Sequence, residues 1–295
     1  MNIYKKEQIN RLVTGFINDA TNPKILVKIF TKPWKIPVTL YNFSKRVIGI
    51  NKNVVFKPET AGEQLMRELL TVDAIVTLTK NNCTVSKEIK MMNEVFPESP
   101  VNKEDLNQLA ELLNQHGSDK VSFNYHIAYS ALLKGKKNNA INTLEIGLGT
   151  NNIDVLSNMG VNGKPGASLR AFRDMYPNAQ VFGADIDKRV LFSEDRIKTF
   201  FVDQTSPAIL SDFKKQLGGI KFDLIIDDGL HNAQANLNTL NFALDLLADD
   251  GVFVIEDIAK TDFKYYQIVE AILKNKFSVD FIQTNNNHIC VFRKK

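Results

Sequence analysis

From about residue 141 onward, short apolar runs alternate with stretches whose apolar residues recur every three or four positions. Continuous apolar runs bounded by turn residues predict buried strands, and the longer period predicts amphipathic helices packed over them. The predicted strands are NTLEIGLG (142–149), AQVFGADI (179–186), IKTFFVD (197–203), FDLIIDDG (222–229) and GVFVIEDI (251–258). Helices are predicted over 167–176, 206–217, 232–248 and 262–275. SVDFIQT (278–284), three asparagines and HICVFRK then read as a terminal antiparallel hairpin. Ahead of residue 110 the pattern is weaker: a helix near 5–18, strand-like segments over 25–56, and helices near 60–79 and 102–114. Asn102 is the expected N-cap of the last of these, and Pro97 and Pro100 mark a joint.

Strands alternating with helices define a doubly wound α/β domain. Five parallel strands closed by a hairpin is the Rossmann-like layout of class I methyltransferases, whereas a nucleotide-binding domain more often ends on another parallel strand. The expected organisation is a smaller mixed N-terminal domain over 1–110 and the α/β domain over 111–295.

Composition narrows the class only slightly. Across 295 residues, 44% apolar and 24% charged content is that of a globular protein. The opening residues lack the apolar core of a signal peptide, and no uncharged run is long enough to span a bilayer. Two cysteines, Cys83 and Cys290, form no CxxC pair, so a reducing cytoplasm is expected. Charge is more telling. Residues 1–58 hold eleven lysines and arginines against two acids, interleaved with Phe30, Trp34, Tyr41 and Phe43. That pattern suits a nucleic-acid, anionic lipid or glycan surface, or a subunit interface, and equally a solvated basic face.

In open α/β sheets ligands sit at the carboxyl ends of the strands, and that is where this chain places its polar residues. The first strand ends in Glu145-Ile-Gly147-Leu-Gly149. Its glycines allow a ligand close to the backbone, and Glu145 offers an acceptor beside it. A dinucleotide fingerprint would have a third glycine at 152, where Asn152 stands. Asp185 ends the next strand as a ribose acceptor, or as an N-cap of the following helix, for which Asp187 is the better candidate. Asp203 and Gln204 end the third and are placed to meet an adenine edge, although loop capping is also open to them.

The strand FDLIIDDG delivers Asp227 and Asp228, with His231 three residues further on, and GVFVIEDI delivers Glu256 and Asp257. Clustered carboxylates disfavour one another's ionisation unless a cation neutralises them. Oxygen donors favour Mg²⁺, Ca²⁺ or Mn²⁺ over zinc. Asp227, Asp228, Glu256 and Asp257 are the candidate ligands, with helix capping beside Lys260 and Lys264 the alternative, and His231 is the candidate base. Of the four histidines (His116, His126, His231 and His288), only His231 clearly belongs to this group.

Over roughly residues 114–258 the chain resembles the metal-dependent sugar O-methyltransferases of the macrolide type, the mycinamicin and tylosin tailoring enzymes, with relatives grouped around cephalosporin hydroxylase. The likeness lies in HGSDK (116–120) with His126 and Tyr129, then LEIGLG, PGASLRAFRDMYPNAQVFGADID, VDQTS, DDGLH and VIEDI in that order. The resemblance implies that Glu145, Gly147, Asp185, Asp203 and Gln204 line an S-adenosyl-L-methionine site. It implies magnesium on Asp228, Glu256 and Asp257, with His231 as base. Two departures stand out: the insert TNNIDVLSNMGVNGK (150–164), read as a lid or a surface loop, and Leu230 in place of a common serine.

The expected activity is therefore S-adenosylmethionine-dependent, Mg²⁺-assisted methylation of a hydroxyl on a sugar or glycosylated metabolite. The expected partners are a small-molecule or glycan acceptor and further copies of the chain, not nucleic acid. Two alternatives stay open: an RNA-directed methyltransferase gripping phosphates through residues 1–58, and a non-catalytic adenosylmethionine-binding partner protein.

Overall fold

A computed structural model describes residues 61–83, 88–97 and 103–295. The helix expected near 5–18, the strand-like segments over 25–56, the basic region and the Asn102 cap lie outside the described residues. The chain divides into two compact units, Met1–Thr77 and Leu78–Lys295. Helix α1 (Ala61–Asn82) begins in the first and ends in the second.

In the second unit, β1 (Lys90–Met91) and α2 (Met92–Val95) lead to α3 (Lys103–His116) and α4 (Tyr125–Leu132). The alternating part then runs β2 (Asn142–Ile146), α5 (Ala167–Met175), β3 (Gln180–Asp185), β4 (Ser193–Glu194), β5 (Ile197–Phe201) and α6 (Pro207–Gln216). It continues with β6 (Phe222–Asp227), α7 (Ala233–Ala243), β7 (Leu247–Ile255) and α8 (Phe263–Leu273), and closes on β8 (Phe277–Gln283) and β9 (His288–Lys294).

The strands form one sheet in the order β1-β8-β9-β7-β6-β2-β3-β5-β4. From β7 to β5 every pair is parallel. Strand β9 runs antiparallel between β7 and β8, so the expected terminal hairpin is present. The chain order reverses between β2 and β6, which makes this the switch point where a ligand crevice opens.

Side chains on β7 and β9 alternate between the two faces with period two. Val252, Val254, Ile289 and Val291 join one core layer with Leu109, Leu113, Tyr129 and Phe172 from α3, α4 and α5. Phe253, Ile255, Cys290 and Phe292 join the other with Phe213, Leu240 and Tyr266 from α6, α7 and α8. Burial on both faces is why these strands read as continuous apolar runs.

The structure differs from the sequence expectation in three places. The boundary expected near residue 110 falls inside α3, whose Leu109 and Leu113 are fully buried in the core of the sheet domain. The helix expected to reach residue 248 ends at Ala243, because Leu246 and Leu247 turn into the core and Leu247 pairs with Phe222. Strand β1 was not foreseen. Two residues carry no periodicity, yet Lys90 and Met91 pair in parallel with Ile282 and Gln283.

Candidate functional site

Sheet register brings the strand ends level. Ile146 pairs with Asp227, Asp227 with Ile255, and Asp185 with Phe201. The ladder runs one step further, with Gly147 N donating to Ala184 O, Asp228 N to Ile146 O and Glu256 N to Asp227 O. The next residues along therefore leave the sheet side by side.

Above them lies a cleft with an empty volume of about 540 Å³. Gly147, Gly149, Asp185, Asp203 and Gln204, all expected at a cofactor site, line it together with Asp228, Gly229 and Leu230. Gly147 is required there on two counts. Its φ is +101°, and a Cβ would sit 2.1 Å from the Asp228 carbonyl oxygen. Asp185 is held firmly: Oδ2 accepts from Leu148 N at 2.8 Å and Oδ1 from Asp187 N at 2.7 Å. Burial pushes its carboxyl above the ordinary range against those bonds. Asp187 caps the next turn, as expected, accepting from Arg189 N.

Two of the expected cofactor residues make their hydrogen bonds within the protein. Glu145 does not line the cleft; it is buried beneath it, accepting from the Ser168 hydroxyl and lying 3.1 Å from Lys120 Nζ. Gln204 spends its amide internally. Its Nε2 donates to Asp227 at 2.5 Å and Thr239 at 2.8 Å, and its Oε1 accepts from Leu230 N at 2.9 Å. It braces the turn after β6. Asp227, fully buried and with its carboxyl pushed up by burial, belongs to that brace.

The insert 150–164 crosses the cleft mouth. Val155, Leu156 and Ser157 line the cleft, and Ser157 Oγ donates to Gly229 O at 3.0 Å. Its near end is tied down where Thr150 Oγ1 and Asn152 Nδ2 each donate to Asp187 Oδ2 at 2.7 Å. Ile153, Leu156 and Val161 are more than four-fifths exposed. Of the two readings of the insert, the lid is the one this geometry favours.

Beside the cleft, donor atoms of Asp228, His231 and Asp257 lie within 4.8 Å of one another, all three half-buried. His231 and Asp257 both adopt left-handed backbone, φ 55° and 54°. Such conformations cost roughly 1–3 kcal/mol at a non-glycine residue and concentrate at functional sites. Here they aim the imidazole and the carboxylate at each other, with His231 Nε2 at 3.9 Å from Asp257 Oδ2. His231 Nδ1 is buried with no hydrogen-bond partner. Asn232 follows as the N-cap of α7, accepting from Ala235 N at 2.9 Å, which fixes where the His231 turn ends.

Glu256 does not join that group. Its side chain is buried, its Oε2 accepts from Lys120 Nζ at 2.5 Å, and its Oε1 accepts from the Tyr129 hydroxyl. Burial, then the Asp228 charge, pushes its carboxyl well above the ordinary range. Asp257 in turn accepts from the Tyr125 hydroxyl and from Asn287 Nδ2 at 2.7 Å. Asp228 and Asp257, two half-buried carboxylates beside an imidazole, fit a hard divalent cation; Glu256 fits one only if Lys120 yields it.

Sequence reasoning assigned no role to Lys120, Tyr125, Tyr129 or Ser168, although Lys120, Tyr129 and Ser168 lie in segments that carry the resemblance. A signal existed: Tyr125 and Tyr129 are four apart on α4, hence on one helical face. The remaining histidines lie elsewhere. His116 pairs with Asp174 at 2.7 Å, burial pushes His126 down, and His288 packs edge-on against Phe263.

The sheet order and strand-end cleft are those of the class I, S-adenosylmethionine-dependent methyltransferase fold. In a structural comparison the chain is similar to the mycinamicin pathway methyltransferase MycE in complex with Mg, SAH and mycinamycin VI. The TM-score is 0.51 at 20% identity, over 63% of this chain and 54% of that one. In sequence it is 29% identical over 164 residues to the 8-demethyl-8-alpha-L-rhamnosyl tetracenomycin-C 2'-O-methyltransferase of Streptomyces olivaceus, covering 55% of this chain and 41% of that protein. It is also 29% identical over 153 residues to the mycinamicin VI 2''-O-methyltransferase of Micromonospora griseorubida, covering 51% and 36%. The chain therefore spans less than half the length of these curated relatives. No family model matches it. Among the described residues no helix is long and apolar enough to cross a membrane.

Proposed function

We propose that the chain is an S-adenosylmethionine-dependent, Mg²⁺-assisted O-methyltransferase acting on a hydroxyl of a sugar or glycosylated metabolite. The observation that carries this reading is the position of Asp228. It lines the cleft and also belongs to the Asp228–His231–Asp257 group, so a methyl donor and an activated acceptor oxygen would meet across one residue. The named relatives, which methylate sugar hydroxyls, support the same reading.

In this reading Asp185 accepts hydrogen bonds from the ribose hydroxyls, Asp203 takes the adenine edge, and Gly147 lets the donor lie against the backbone. S-adenosylmethionine supplies a methyl group on a sulfonium, an electrophile that needs only an oxygen nucleophile held in line. Asp228 and Asp257 hold the cation, with Glu256 as the further oxygen donor expected from the sequence. A divalent cation held there would supply the Lewis acidity that makes an acceptor hydroxyl easier for an imidazole to deprotonate. His231 then accepts the hydroxyl proton at Nε2, and the neighbouring Asp257 Oδ2 stabilises the imidazolium. The N-terminal region expected over residues 1–110 is assigned to acceptor docking or to assembly of a homo-oligomer. The RNA-directed alternative rests on residues 1–58, outside the described residues, and no structural observation favours it.

The cofactor half of the proposal is tested by calorimetry. S-adenosylhomocysteine is expected to bind the wild-type chain, and Asp185→Ala should weaken it by about tenfold to a hundredfold, the usual loss for a buried charged acceptor. No binding by the wild type, or binding of NAD in its place, overturns the reading.

A further inference from the structure

Lys120 is the most deeply buried cation near the site. It stands in the middle of the short 3₁₀ turn Asp119–Val121, with only 2% of its surface exposed. Its ammonium meets carboxylates from three strand ends. Nζ lies 3.1 Å from Glu145 near the end of β2, 2.8 Å from Asp228 after β6 and 2.5 Å from Glu256 after β7.

The geometry points to Lys120 as a built-in counter-cation that competes with the divalent metal for Asp228 and Glu256 while anchoring both to the cofactor-side carboxylate Glu145. The inference rests on the function proposed above and deepens it. Without a cation, Glu145, Asp228 and Glu256 would repel one another in a desolvated space, and breaking such a buried network is strongly destabilising. With Lys120 in place the apo site is neutralised and stays assembled. The same charge opposes a second cation arriving a few ångströms away, at low effective dielectric. A metal at Glu256 would have to share Oε2 with Nζ or Oε1 with the Tyr129 hydroxyl. Lys120 is thus a positioning residue, acting through the carboxylates it orients. It makes metal uptake conditional and links it to the floor of the cofactor cleft.

The competition gives two effects of opposite sign, which a purely structural lysine would not. Lys120→Met, close in length but neutral, is expected to lower the Tm of the metal-free protein by at least about 5 °C. The same variant should bind Mn²⁺, read by calorimetry or by loss of its free-ion paramagnetic resonance signal, about tenfold or more tightly than wild type. Saturating Mn²⁺ should therefore raise its Tm further than that of wild type. A folded Lys120→Met chain whose Mn²⁺ affinity is unchanged or weaker overturns the inference. Should that variant not fold, crystal structures of the wild type with and without Mn²⁺ decide the matter. The expected result is Nζ retained on Glu145 and released from Glu256 when the metal is bound; both contacts intact beside a bound metal contradicts it. A wild-type chain that takes up no Mn²⁺ at all refutes the metal half of the proposed function instead, so the two failures are told apart.

Discussion

His231→Ala lowers methyl-transfer turnover by about 10²–10⁴-fold, the span usual for a positioned general base, while leaving adenosylhomocysteine and metal affinity near wild type. The imidazole is the basic group standing over Asp257 Oδ2, at 3.9 Å, and it is outside the bracing network of the cleft. Alanine must adopt the same left-handed backbone, φ 55°, which it favours less than histidine does, so a small loss of stability is expected beside the loss of turnover. Asn232 still caps α7. Turnover, calorimetry and thermal denaturation on one preparation check all three statements. A His231→Ala enzyme at the wild-type rate on its own acceptor removes His231 from the mechanism.

Asp228→Ala fails differently. It removes an oxygen donor from the group, a wall of the cleft and one of three acceptors for Lys120. Metal affinity should fall by at least about 100-fold, beyond the loss usual for an outer partner of a ligand. Turnover should fall at least as far as in His231→Ala. The two variants separate a ligand from a base: one loses the metal, the other keeps it. Metal titration of both variants reads the difference directly, and an Asp228→Ala chain with unchanged Mn²⁺ affinity excludes Asp228 as a ligand.

Much of the fold was legible because both faces of the sheet are buried. The runs LEI, VFGAD, LIID and VFVI carry that burial in their composition, and the asparagine turn between β8 and β9 announced the hairpin. The strand-end acids were legible for the same reason, since a polar residue ending an apolar run has nowhere to go but the crevice. What each acid does there was not legible. Asp203 and Gln204 are adjacent, yet Gln204 turns inward to Asp227 and Thr239. Glu256 and Asp257 are adjacent, yet Glu256 is 1% exposed and Asp257 half-buried. Facing is decided by one peptide's rotation, here the left-handed φ of Asp257, which no periodicity records.

Lys120 was hidden for a further reason. In HGSDK it looks like any solvated lysine, and its hydrogen-bonded carboxylates lie 108 and 136 residues away. Only closure of the sheet brings them together. The resemblance of this segment to one in the sugar O-methyltransferases marked it as meaningful without saying what it does. The geometry supplies the reason: the turn carrying Lys120 and the helix face carrying Tyr125 and Tyr129 together saturate the acids that the strands present.

The central claim is that one residue, Asp228, joins a methyl-donor cleft to a metal-activated acceptor. Its most direct test is conversion of S-adenosylmethionine to S-adenosylhomocysteine with a rhamnosyl-bearing acceptor, followed before and after EDTA treatment and again after adding Mg²⁺. The account predicts methyl transfer that EDTA abolishes and Mg²⁺ restores; methyl transfer at an undiminished rate in the metal-free enzyme would contradict it.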